Sequence, residues 1–320
     1  MAHGTPLVSI CIPAYNHEKY VQACIESIIS QDYENIELLI IDDGSSDATW
    51  AKILELAPQC EKRFQRFVAK RQENCGTAET CRRLEDKAQG EFCGVIASDD
   101  QYLPGAISAL LKPMLEDTEI GLVVGVNELM DSKGLTCFWD KDRNIVYDEK
   151  AARYRTFDEQ LMDFEKINFY SDQFGSYQSL VKGNHIPNGA LKRRGLYKKF
   201  TPTSRGPLLE DWWFHLQFSK VTKYKAIPVH TFRYRWHETN TLKKKGFVTQ
   251  AVKNTWLCER DLIVTLNDRQ WRDMARPWIR IFQIKWRWWK IFLWTVDTVD
   301  EHVVNFGLMR FPIVLKKIRF

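Results

Sequence analysis

The chain has 320 residues, of which 44% are apolar and 27% charged, and its formal net charge is +5. That length allows one large domain or two smaller ones with ample core, and that apolar fraction excludes general disorder. The mild positive charge permits a polyanionic partner without requiring one.

"LVSICIP" (7–13) reads as a short buried strand. A helix follows, because Tyr20/Val21, Cys24/Ile25 and Ile28/Ile29 recur every three to four residues. "IELLII" (36–41) is an apolar run of strand length that ends in "DDGSSDATW", where Gly44 and the serines predict a turn. Ser46 or Asp47 can cap a helix starting near Thr49. "FCGVIA" (92–97) and "GLVVGV" (121–126) are further strands. Strands alternating with helices predict an α/β fold, a mostly parallel sheet with helices on both faces. Ligands of such sheets bind at the carboxyl ends of the strands. Polar clusters stand there at Pro13–Asn16, Asp42–Asp47 and Ser98–Asp100.

Eight scattered cysteines form no CxxC pair, which argues against a zinc ribbon and fits a reducing cytosol, as does the absence of a signal peptide pattern. No GxGxxG follows the first strand and no GxxxxGK[ST] occurs, so phosphates, if bound, are handled differently. The adjacent carboxylates of Asp99 and Asp100 are costly side by side unless a positive partner is near. Either is an ordinary turn or cap residue, but together they can hold Mg²⁺ or Mn²⁺, hard ions that bind through one or two carboxylates plus substrate phosphates.

"VSICIPAYNHEKYVQACIESIISQDYENIELLIIDDGSSDAT" resembles the N-terminal signature of glycosyltransferase family 2. "NCGTAETCRRLEDKAQGEFCGVIASDD" is similar to its second block, and a looser likeness continues to "LLEDWWFHLQF" (208–218) and "YRWHETNT" (234–241). The resemblance implies a GT-A fold and inverting transfer of a sugar from a nucleotide-sugar to an acceptor. It also implies that Pro13, Ala14 and Tyr15 line the nucleotide pocket, with Tyr15 against the base. Asp43 would meet a uracil or thymine ring. Asp99 would lie near ribose and metal, Asp100 would bind the metal, and His237 would contact metal or diphosphate. Asp211 looks like the catalytic base. Where many relatives read "ARNxG" this chain has "TCRRL" (80–84), so Arg82 or Arg83 is a candidate for the diphosphate.

The region after 128 is expected to face the acceptor. Asn184, His185 and Asn188 can meet sugar hydroxyls, and Glu210 and Trp212 flank the base candidate. Lys192, Arg193, Arg194, Lys198 and Lys199 form a basic run, either a solvated surface or a contact to an acceptor phosphate. Six of the twelve tryptophans fall between 271 and 294, interleaved with Arg272, Arg276, Arg280, Arg287 and Lys290. That pattern predicts a basic amphipathic helix at an anionic membrane surface, with a helical cap or dimer face as the other reading. Basic plus aromatic also fits single-stranded nucleic acid, but the N-terminal site argues against nucleic acid as a partner. Residues 1–127 are thus expected to bind the donor, 128–245 to bind the acceptor and carry the base, and 246–320 to associate with the membrane. The expected protein is a metal-dependent transferase, peripheral on the cytoplasmic face of the inner membrane. Its expected acceptor is a lipid-linked glycan of bacterial surface polysaccharide or glycoprotein synthesis. A lipopolysaccharide-core or soluble acceptor is the alternative, and a non-catalytic binding module the outsider.

Overall fold

The computed structural model describes residues 5–199, 209–238, 240 and 247–265, with backbone alone for 210, 247–249 and 263–265. Chain contacts divide it into two units, Met1–Arg205 with Leu209–Lys243, and Gly206–Leu208 with Lys244–Phe320. In the second unit the described element is a helix, Phe247–Thr265. The tryptophan-rich segment from 271 lies outside the described residues.

The first unit opens with strand β1 (Val8–Ala14), helix α1 (Val21–Ile29), β2 (Ile36–Asp42), α2 (Thr49–Arg63), β3 (Arg66–Arg71), α3 (Thr77–Lys87) and β4 (Phe92–Val95). It continues with β5 (Gln101–Tyr102), α4 (Ala106–Glu116), β6 (Ile120–Met130), β7 (Thr136–Trp139) and β8 (Ile145–Val146). Then follow α5 (Phe157–Glu165), α6 (Tyr177–Leu180), β9 (Leu191–Arg193), α7 (Glu210–Phe218) and β10 (Lys223–Arg235). The sheet order is β3-β2-β1-β4-β9-β6-β10-β5, with β7 and β8 paired off β6.

The near-continuous apolar runs have a physical reason. Along β1, Val8, Ile10, Ile12 and Ala14 pack into the cluster that α1, α2 and α4 cover. Cys11 points the other way, to Leu39, Ile41 and Cys93 beneath Leu84 and Ala88 at the end of α3. A strand covered on both faces has no side to leave polar. Glu37 in β2 is the exception. It is fully buried, and its carboxylate accepts from the backbone N–H of Gly90 (3.0 Å) and from Arg66 Nη1 (2.6 Å).

The sheet is mostly parallel, with short antiparallel strands inserted into it. β3, β2, β1 and β4 run parallel, as do β6 and β10, but β9 is antiparallel to both β4 and β6. β9 is the start of the basic run, and its charges serve the fold. Lys192 Nζ meets Glu85 Oε1 at 2.7 Å and lies 4.3 Å from the Phe214 ring centre. Arg193 donates to the Met114 carbonyl at 2.6 Å and Arg194 to that of Gly90 at 2.7 Å. β6 crosses position 127/128, so the donor-side and acceptor-side segments share one sheet.

Candidate active site

Register brings the ends of three strands together. Ala14 in β1 pairs with Asp42 in β2, and Cys11 pairs with Val95 in β4. The chain beyond each strand therefore emerges on one edge, stitched by Asp43 N–H to the Ala14 carbonyl (2.8 Å) and Ile96 N–H to that of Cys11 (3.0 Å). Asn16 accepts from Ser46 N–H at 2.8 Å through Oδ1, and its own N–H donates to Ser45 Oγ at 2.9 Å.

Pro13 is half-buried and Ala14 buried, whereas Tyr15 stands 49% exposed at the mouth, where its ring is available to a planar partner. Asp43 lies behind it. Its carboxylate accepts from Gln72 Nε2 (2.8 Å), Cys75 N–H (2.9 Å) and Gly76 N–H (2.9 Å). Burial alone would raise its pKa, but these hydrogen bonds outweigh it and hold the carboxyl below the usual value. The turn needs Gly44, whose φ is +76° and whose place would set a Cβ 2.9 Å from the Asn74 nitrogen. A cavity of about 540 Å³ opens beside it, lined by Gly44, Arg71, Gln72, Glu73 and Asn74.

Arg82 and Arg83 sit on α3 and are engaged with their neighbours. Arg82 binds Glu79 (2.7 Å) and Asp86 (2.5 Å), and Arg83 donates to Glu79 and to the side-chain Oε1 of Gln72, both at 2.8 Å. Arg83 is thereby linked through Gln72 to Asp43.

The two aspartates of "SDD" have different surroundings. Asp99 Oδ2 lies 2.9 Å from His237 Nε2 and 3.9 Å from His17 Nε2. Burial would raise its pKa, but His237 and then the His17 charge override that and lower it. Asp100, 1% exposed, instead accepts from the backbone N–H of Arg235 at 2.8 Å. Burial, then the neighbouring Asp99, push the Asp100 carboxyl well up, against the opposing pull of Arg235. Arg235 Nε donates to the Asp99 carbonyl at 2.7 Å, and its guanidinium lies 4.7 Å from the Tyr20 ring centre. Arg235 thus ties the pair through its own backbone N–H to Asp100 and its guanidinium to the Asp99 backbone carbonyl, and its positive charge acts on both carboxylates from nearby.

His17, Asp99 and His237 are the one described group in which three metal-ligating atoms lie within 4.8 Å of one another, and Asp100 is outside it. Two imidazoles and a carboxylate are a donor set that suits a divalent ion. Sequence reasoning missed His17 and Arg235. Their signals were the position of His17 just past the β1 edge and the spacing of Arg235 two residues before His237 in "RWH".

Among the residues expected to face the acceptor, Asp211 is exposed in the first turn of α7, where Oδ2 accepts from Asn184 Nδ2 at 2.9 Å and Oδ1 from Trp212 N–H at 2.7 Å. Asn188 is exposed, and its carbonyl accepts from Asn127 Nδ2 at 3.1 Å. The side chain of Glu210 is outside the described residues. Trp212 and His185 are packing residues in this fold, not surface groups for a sugar. Trp212 is buried with Nε1 donating to the Leu180 carbonyl at 2.9 Å. His185 is 1% exposed among Phe169 and Phe174.

Burial lowers the His185 pKa to about 4, against the opposing contact to the Gly183 carbonyl. The unfolded chain therefore binds a proton that the folded chain refuses between that value and the ordinary one. Stability from this residue is present at neutral pH and lost as pH falls, by about 2 kcal/mol between pH 6.5 and 5. His185→Gln is expected to flatten that slope of the urea midpoint against pH; an unchanged slope would remove His185 as its source.

The family model described as Glycosyl transferase family 2 matches residues 9–179. The Bacillus subtilis (strain 168) protein named as glycosyltransferase EpsH is 34% identical over 246 residues, which are 75% of this chain and 64% of that protein. The Escherichia coli UDP-Glc:α-D-GlcNAc-diphosphoundecaprenol β-1,3-glucosyltransferase WfgD is 31% identical over 45% of this chain and 54% of its own length. The chain thus spans only part of the relatives it matches. Among solved structures, the Pyrobaculum calidifontis mannosyltransferase PcManGT in complex with GDP-Man and Mn²⁺ superposes with a TM-score of 0.51, at 16% identity, over 77% of this chain and 59% of that one. Staphylococcus aureus TarS 1-349 in complex with UDP gives 0.50, at 15% identity, over 72% and 60%. With the mixed sheet, the polar strand ends and these matches in hand, the chain belongs to glycosyltransferase family 2 and has the GT-A fold.

Proposed function

We propose that this enzyme transfers a sugar from a UDP-linked donor to a glycan carried on a lipid diphosphate, with inversion, in bacterial surface polysaccharide or glycoprotein glycan synthesis. The observation that carries the reading is the convergence of Tyr15, Asp43 and the Asp99–His237 pair on one edge of the sheet. Tyr15 offers a face to the base. Asp43 Oδ1 accepts from Gln72, the Cys75 N–H and the Cys75 thiol, whereas Oδ2 accepts from the Gly76 N–H. The second lone pair of Oδ2 suits the uracil N–H.

A divalent cation, Mn²⁺ or Mg²⁺, held by Asp99 and His237, would supply positive charge to the departing diphosphate. The residues do the rest. Asp211 takes the proton of the acceptor hydroxyl as that oxygen bonds to the anomeric carbon. The carbon–oxygen bond to the diphosphate breaks on the opposite face, and UDP leaves with the electron pair. Arg83 is assigned to holding Gln72, and through it Asp43, rather than to the diphosphate.

WfgD supports the lipid-linked acceptor, because its name specifies a diphosphoundecaprenol substrate. Incubation with Mn²⁺, a panel of UDP-sugars and polyprenyl-diphosphate-linked GlcNAc is expected to release UDP with one donor and lengthen the glycan. UDP release with no donor, alongside an unshifted melting temperature for every UDP-sugar, would overturn the reading.

No helix of the described residues is long and apolar enough to cross a membrane. We assign contact with the cytoplasmic face to the basic, tryptophan-rich segment, on its sequence. Each basic residue near an anionic surface adds about 1 kcal/mol. Arg276→Glu, Arg280→Glu and Arg287→Glu together are therefore expected to weaken sedimentation with anionic vesicles far more than with neutral ones. Equal loss on both would leave charge out of it.

A further inference from the structure

We infer that His17 is the third protein ligand of the cation held by Asp99 and His237, and that the two imidazoles make the site select Mn²⁺ over Mg²⁺. The inference rests on the donor site proposed above and names its metal chemistry.

His17 Nε2 lies 3.9 Å from Asp99 Oδ2, too far for a hydrogen bond, and has no hydrogen-bond partner among the described residues. The ring is nevertheless fixed. Its Nδ1 is 2.8 Å from Ser98 Oγ, its backbone N–H donates to Thr49 Oγ1 at 2.8 Å, and its carbonyl accepts from Tyr20 and Val21, each at 2.9 Å. Metal-bound imidazoles are held in this way, with one ring nitrogen tied to a neighbour and the other free for the ion.

The donor atoms converge. One from each of His17, Asp99 and His237 lies within 4.8 Å of the others. Asp99 Oδ2 is 2.9 Å from His237 Nε2 and 3.9 Å from His17 Nε2. The His17 and His237 rings stand at 90° with centres 6.2 Å apart, and Tyr20 contacts both.

The choice of ion follows from the donors. Mg²⁺ keeps oxygen ligands and water, whereas imidazole favours first-row transition ions. A site with two imidazoles and one carboxylate leaves its open positions to diphosphate oxygens and water.

The test is Mn²⁺ binding to the full chain, followed by the loss of the free-ion EPR signal, with pulsed EPR to count coordinated imidazole nitrogens. The wild type is expected to show two coordinated imidazoles, and His17→Ala one. The Kd for Mn²⁺ should rise about 10–100-fold in Ser98→Ala, which loses the partner of His17 Nδ1, and further in His17→Ala. Mg²⁺ in about 100-fold excess should fail to displace Mn²⁺ from the wild type. One imidazole in the wild type, an unchanged Kd in His17→Ala, or displacement by equimolar Mg²⁺ would each overturn the inference. Should His17→Ala not fold, the wild-type nitrogen count and the Mg²⁺ competition decide alone. UDP release in EDTA, measured in parallel, separates the two readings. Transfer without bound metal would sink the His17 assignment and leave the transferase standing.

Discussion

Asp211→Asn is expected to lower kcat by about 10²–10⁴ while leaving UDP-sugar affinity nearly unchanged. The carboxylate is exposed, so an acceptor hydroxyl can reach it. It is also rigidly mounted, because the next two residues of α7, Trp212 and Trp213, are buried and anchor the helix. Asn184 Nδ2 at 2.9 Å aims one carboxylate oxygen, and the Trp212 N–H at 2.7 Å holds the other. An asparagine keeps the volume but has no basic oxygen for the proton. Its amide nitrogen would also face the Asn184 nitrogen if it were not flipped. The proposed donor contacts lie elsewhere, at Tyr15 and Asp43, which is why affinity for the nucleotide should hold. Steady-state kinetics and calorimetry with the UDP-sugar check the split. A nearly normal kcat with weakened donor binding would make Asp211 a binding residue.

Local pattern carried the N-terminal half well. "LVSICIP", "IELLII" and "FCGVIASDD" showed strands running into polar ends, and parallel pairing of their registers does the rest. Pattern failed where the deciding partner is remote in sequence. Lys192 looks like part of a solvated basic run, but its counter-ion, Glu85, is 107 residues away. That distance also hid the antiparallel insertion of β9 into a sheet that is otherwise mostly parallel. His185 and Trp212 have the chemistry of sugar-contacting residues, and only burial among Phe169, Phe174 and Leu180 reveals them as core. The candidate metal-ligand cluster shows the same limit. Asp99 was legible from its pair, His237 from the family resemblance, and His17 from neither, because a ring next to a turn has no periodicity to betray which way it points.

The two aspartates should separate sharply on substitution. Asp99→Asn removes the only carboxylate of the three-residue group. It is expected to raise the Kd for Mn²⁺ by about 10–100-fold or more and to abolish measurable transfer. Asp100→Asn acts on a different neighbour. Its side-chain carbonyl can still accept the Arg235 N–H that Asp100 Oδ1 accepts at 2.8 Å. It also removes a buried like charge beside Asp99, the arrangement that drives the Asp100 carboxyl upward. Mn²⁺ affinity should therefore stay within a few-fold of wild type, since this carboxylate faces the β10 backbone and not the imidazoles. A larger substitution effect is expected on the other side of the contact. Arg235→Met strips the buried Asp99 and Asp131 carbonyls of a donor and removes a positive charge that acts on both aspartates. An unsatisfied buried acceptor costs about 1–3 kcal/mol, so this variant should melt well below the wild type. Calorimetric titration with Mn²⁺ and thermal melts of the three variants decide the matter. Equal loss of Mn²⁺ affinity in Asp99→Asn and Asp100→Asn would mean that both carboxylates bind the ion, and that Arg235 gives up Asp100 when the cation arrives.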